Sequence, residues 1–219
     1  EQLALLSLHT LFVREHNRLC KVIQTHHPTA SDEQIYQLAR KIVGMEIQKI
    51  TYEEWLPAVL GPMAPRLRNY KGYNPNIDVG IAAEFSAAAF RFGHTMISGR
   101  VELVKKDGSI QNRKLRDAFF NHEFVKAKPF RVDQVLQGLT QHSAQEIDSF
   151  IVEDVRSFLF GQPGAGGIDL ASLNMQRGRD LGLPGYNDVR AAFNLTRRAT
   201  FEEISTSPKV QAALKREYN

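Results

Sequence analysis

The chain has 219 residues, 42% of them hydrophobic and 24% charged, with 15 glycines and 9 prolines. A chain of this size buries roughly 68–75% of its unfolded surface, and the balance excludes a disulfide-stapled miniprotein, a collagen-like chain and a disordered one. The net charge of +4 is small and spread among acids, and no groove-reading or RNA-binding signature accompanies it, so no nucleic-acid partner is expected.

No stretch of about 18 apolar residues occurs, so no membrane span is expected. Glu1 opens the chain without a basic leader, and His9, Arg14 and Glu15 soon interrupt the apolar run, so this end does not read as a signal peptide. Cys20 is the single cysteine, which excludes an intrachain disulfide framework and any CxxC site.

Leu5, Leu8, Phe12, Leu19 and Ile23 recur at helical spacing and predict a long first helix ending before Pro28. Ser31 with Gln34 forms a capping-box pattern that starts a second helix, carried by Ile35, Leu38, Ile42 and Met45 toward Leu56-Pro57 and packed on the first. The run GPMAPRLRNYKGYNP, residues 61–75, predicts an irregular surface connection. Ile77 to Ile97 is apolar nearly all round and predicts a buried helix. Arg100 to Arg113 predicts a short hairpin turning at Asp107-Gly108. Ser143 with Glu146 predicts another capped helix through Ile147, Ile151, Val155 and Phe158, broken by GQPGAGG at 161–167. Ser207-Pro208 predicts the start of a last helix. The class is mainly α.

His94 is the residue to explain, because it shares a helix face with Ala83, Ala87 and Phe90. A core histidine bonded to a backbone carbonyl is the bland reading. The sharper one is a ligand: small residues leave room for a flat group that His94 coordinates through Nε2. Arg91 lies three residues away on the same side, and a buried guanidinium calls for an anion, either a protein acid or a ligand's carboxylates. LNMQRGRD, Leu173 to Asp180, reads as a solvated turn with an internal Arg–Asp pair, or, if packed near His94, as the source of an Asn174 amide that accepts the Nδ1 hydrogen. Cys20 and His16 form an i,i+4 pair without an orienting third group, and GQPGAGG lacks the ending of a phosphate loop.

Four segments, LHTLFVREHNRL (Leu8 to Leu19), ARKIVGMEIQKITYEEWLPAVLG (Ala39 to Gly61), FRFGHTMI (Phe90 to Ile97) and LNMQRGRDLGLPGYN (Leu173 to Asn187), together resemble the animal-type haem peroxidase family, the peroxidase–cyclooxygenase superfamily. The resemblance covers nearly the whole chain, and the single cysteine is more like a bacterial member than a disulfide-rich animal one. It implies a helical haem peroxidase core with one short β-hairpin, residues 1–219 being the proximal-side portion of a single domain that extends past both ends.

The resemblance implies haem b, with His94 as proximal iron ligand, Asn174 as its hydrogen-bond partner, and Arg91 and Arg177 as holders of the propionates. Phe90, Leu170 and Leu173 match apolar positions beside the haem. Glu1 falls where relatives carry a glutamate that can form an ester to a haem methyl, whereas Gln2 replaces a methionine that some members bond to a vinyl group. The distal histidine, its neighbouring glutamine, the calcium-binding aspartate and the distal arginine are expected upstream of Glu1, which leaves no catalytic acid or base within the chain. The implied function is reduction of hydrogen peroxide with oxidation of a halide, thiocyanate or phenolic donor, in a secreted or extracellular setting, with the remainder of the domain as partner. Two readings compete. A fatty-acid dioxygenase of the superfamily needs a tyrosine shortly before the proximal histidine, and none lies between Ile77 and His94; a non-catalytic helical interaction module would bind no haem.

Overall fold

The computed structural model describes residues 1–65, 70–121 and 131–218. They fall into two compact units. The first holds the described residues of Glu1–Asp78, Leu103–Gln111 and Phe120–Thr140, the second those of Val79–Glu102, Asn112–Phe119 and Gln141–Asn219.

In the first unit, α1 (Leu3–His26) packs on α2 (Asp32–Ile50). The Gln2 side-chain oxygen accepts the Ala4 N–H at 2.6 Å at the start of α1. At the start of α2 the capping box is complete: Ser31 Oγ accepts the Gln34 N–H at 3.3 Å and Gln34 Oε1 accepts the Ser31 N–H at 2.9 Å. Leu19, Ile23 and Ala39 form the seam, with Ile35, Ile42 and Val43 against it. Leu5, Leu8, Leu38 and Met45 belong to the predicted stripes yet remain exposed, because each stripe is wider than the seam. Past α2 the backbone runs through a π-helical turn at Thr51–Trp55 into α3 (Leu56–Leu60) and reverses at Gly61, whose φ of 57° suits a residue without Cβ. Residues 70–75 are irregular and exposed, as the Pro- and Gly-rich composition predicts, while residues 66–69 of that run lie outside the described ones.

In the second unit the single buried helix expected over Ile77–Ile97 does not form. α4 covers only Ala83–Ala87, stops at Ala88 (φ −126°, ψ −69°), and gives way to a 3-10 segment, Ala89–Met96. Ala87 is buried, but Ile77, Val79, Ile81, Phe85 and Phe90 are exposed. Apolar composition reports what a segment would bury if covered. The cover here comes from α7 (Leu170–Asp180) against α4, too little to enclose both faces.

β1 (Arg100–Val104) and β2 (Ile110–Lys114) form the predicted hairpin, with Gly108 at φ 82° and Asp107 Oδ1 accepting the Ser109 N–H at 3.0 Å. α5 (Val132–Gln141) follows. The helix expected from Ser143 is absent; only α6 (Glu153–Arg156) is helical there. The Gln145 N–H donates instead to the Met96 carbonyl at 3.0 Å, and Asp148 Oδ1 takes the Phe150 N–H at 2.8 Å, so these groups are drawn into tertiary and turn bonds before a helix can use them.

The glycine-rich run closes on itself through a bridge between Leu159 and Ile168. A Cβ on Gly167 would lie 2.5 Å from the Ser157 carbonyl oxygen. The closed loop delivers Asp169, whose Oδ1 accepts the Ala171 and Ser172 amides at 2.8 and 3.2 Å and caps α7. LNMQRGRD is therefore helical rather than the solvated turn of the bland reading. α8 (Tyr186–Ala192) and α9 (Pro208–Tyr218), the latter with Pro208 in its first turn as predicted, complete a set of described residues that is mainly α with one hairpin.

Candidate functional site

Capping by Asp169 aims α7 at the 3-10 segment, and the two carry side chains 80 positions apart into contact. His94 Nδ1 lies 2.8 Å from Asn174 Oδ1 in a partly buried setting. A carboxamide oxygen only accepts, so the hydrogen resides on Nδ1 and Nε2 keeps its lone pair. Nε2 makes no hydrogen bond among the described residues. The backbone-carbonyl reading of His94 is thereby replaced: its fixed partner is the side chain of LNMQRGRD.

Arg91 is exposed, and its Nε donates to the Ser86 carbonyl at 3.1 Å, which corrects the expectation of a buried guanidinium. Arg177, three residues beyond Asn174 on α7, is also exposed. Neither has an acidic partner among the described residues, whereas Arg18, Arg116 and Arg197 each do. Asp180, the acid inside LNMQRGRD, accepts from Gln176 at 2.7 Å instead of pairing with an arginine of that segment. Phe90, four residues before His94, is 52% exposed and stacks on Phe85 at 5.1 Å; Leu173, next to Asn174, is 44% exposed and Leu170 half-buried.

These features suit haem. Among the described residues no group of three or more His, Cys, Asp or Glu could hold a bare metal ion. One imidazole whose Nε2 makes no hydrogen bond among the described residues suits a haem iron, two guanidiniums without an acidic partner among those residues suit its two carboxylates, and the apolar side chains suit its macrocycle.

Glu1 belongs to the first unit. Its Oε1 lies 2.9 Å from His9 Nδ1, and both side chains are largely exposed. The amide oxygen of Gln2 is committed to the α1 cap. Cys20 Sγ lies 3.7 Å from His16 Nδ1, and the His16 ring meets Tyr36 edge-on at 5.1 Å, so the pair sits in the packing between α1 and α2.

Two further clusters in the second unit escape the sequence reading because their members are 38 to 44 positions apart and no local spacing marks them. Asp154, 8% exposed, accepts the Arg116 amide at 3.0 Å and its guanidinium at 2.9 and 3.2 Å, while that guanidinium rests 3.6 Å from the centre of the Phe158 ring. Hydrogen bonding by Arg116 holds the Asp154 carboxyl below the usual aspartate range. The second cluster joins Ser98, Glu102 and His142.

The whole chain, residues 1–219, matches the family model described as Animal haem peroxidase. Peroxinectin A of Dictyostelium discoideum is 38% identical over 219 residues, covering 100% of this chain and 40% of its own length. Myeloperoxidase of Mus musculus is 40% identical over 210 residues, covering 92% of this chain and 29% of its own length. Peroxidase A from Dictyostelium discoideum superposes with a TM-score of 0.88 at 38% identity, over 100% of this chain and 42% of that one. The chain thus spans about two fifths of the first of these relatives.

Proposed function

The chain belongs to the animal haem peroxidase family, and from that premise we propose that it forms the proximal wall of a haem-dependent peroxidase. The hydrogen bond from His94 Nδ1 to Asn174 Oδ1 carries this reading, because it leaves Nε2 as the only ring nitrogen able to ligate. Haem, when bound, supplies the reduction of hydrogen peroxide and the oxidation of a halide, thiocyanate or phenolic donor.

The chain's own contributions are binding and tuning. His94 would hold the iron through Nε2, while Asn174 fixes the ring's tautomer and would raise its basicity. Arg91 and Arg177 would hold the propionates, and Phe90, Leu170 and Leu173 would lie against the macrocycle. Glu1 is the residue for an ester to a haem methyl, which would require its carboxylate to leave His9. The distal acid–base groups and the calcium site are assigned upstream of Glu1, and residues 1–219 form one portion of a single peroxidase domain. The family resemblance favours a secreted or extracellular setting.

A haemin titration of the chain and of His94→Ala tests the assignment. A red-shifted Soret band that the substitution abolishes is expected; indistinguishable spectra for the two proteins would overturn it.

A further inference from the structure

We propose that His142 is a positioning residue for His94, acting through Ser98; the inference rests on the haem reading above and adds a residue to it. The 3-10 segment that carries His94 runs for eight residues, longer than that geometry usually sustains, with eclipsed side chains and poorly aligned hydrogen bonds. Its own ladder is a weak guide for a ring that must face a ligand squarely, so outside ties set the orientation. Asn174 is one of them. The others act just downstream: the Met96 carbonyl accepts the Gln145 N–H at 3.0 Å, and Ser98 Oγ lies 3.0 Å from His142 Nε2.

His142 is itself held. Its Nδ1 lies 3.3 Å from Glu102 Oε1, and Arg100 Nε donates to the same oxygen at 3.0 Å. The Glu102 and His142 side chains are 9% and 23% exposed, sheltered enough for the order to persist. A hydroxyl both donates and accepts, so the Ser98–His142 bond survives in either tautomer and in the protonated ring. The order serine, histidine, glutamate resembles a nucleophile relay. Here, however, the Arg100 amide also reaches Ser98 Oγ at 3.4 Å and the Arg100 guanidinium approaches His142 Nδ1 at 3.4 Å. The hydroxyl is a tether for the end of the His94 segment, not a freed nucleophile.

The test uses the full 219-residue chain as wild type, His142→Ala, Ser98→Ala and His142→Gln. In haem-free protein, the imidazole N–H signal of His94 is followed by 15N-edited NMR; in haemin-loaded, reduced protein, the iron–imidazole stretch is followed by resonance Raman. Both alanine variants are expected to lose protection of the His94 Nδ1 hydrogen, to shift the stretch in the same direction, and to weaken haemin binding by about tenfold, the low end for outer partners of a ligand. His142→Gln, which can still donate to Ser98, is expected to restore the wild-type signals. Should His142→Ala fail to fold, Ser98→Ala decides, since it removes one hydroxyl and leaves the His142–Glu102 pair. Unchanged His94 signals and stretch in folded Ser98→Ala would overturn the proposal. Absence of a His94-dependent Soret band in the wild type would sink the haem reading instead, and the haem-free NMR would still decide the role of His142.

Discussion

Asn174 offers the imidazole an acceptor that carries no charge, so on the proposed reading it would strengthen the ring as a ligand less than a carboxylate would while fixing the same tautomer. Removing it in Asn174→Ala is expected to weaken haemin affinity about 10- to 100-fold by spectrophotometric titration. Asn174→Asp keeps an acceptor and adds a charge, and should lower the reduction potential of the bound iron in a redox titration. Asp154 is the other residue with a defined electrostatic role. Its carboxyl is depressed by Arg116, so the ion pair stabilises the fold above the unfolded aspartate value near 3.9 and is lost as pH falls through the lower folded value. Asp154→Asn should cost about 2 kcal/mol at neutral pH in urea unfolding, with the gap to wild type closing below about pH 4. An unchanged gap down to pH 2 would contradict that assignment.

At the level of elements, local signals succeed where nothing competes with them. The Ser31–Gln34 box caps α2 as its spacing predicts, yet Ser143–Glu146 carries the same signature and starts no helix, because Gln145 and Asp148 are engaged by Met96 and Phe150. Periodicity marks α1, α2 and the hairpin well. It misreads Ile77–Ile97, since apolar spacing says nothing about a break at Ala88 or about how much cover the chain supplies. For the site, His94 and Asn174 are legible as motifs while their meeting depends on α7 being a helix, and the Asp154 and His142 clusters bring together positions too distant for any spacing rule. Two glycines offer a check of opposite sign. Gly44, inside α2 with open space around its would-be Cβ, should gain about 0.5–1 kcal/mol as Ala. Gly167→Ala forces a methyl against the Ser157 carbonyl, and should lower Tm and expose residues 157–168 to limited proteolysis.

For the molecule as a whole, the proposal gives these 219 residues the task of holding haem. On the proposal that the distal acid–base groups lie outside these residues, haemin-loaded chain is expected to oxidise guaiacol at least about 10²-fold more slowly than a full-length family member, and parity between them would refute that division of labour. The 80-position gap between His94 and Asn174 bears on assembly as well. Closing a loop of that length carries an ordering cost that a local contact does not, whereas the imidazole is present from the start. If His94 holds the iron as proposed, a porphyrin arriving before that closure would meet a rotating ring able to bind through either nitrogen, so loading after collapse is expected to give the uniform site.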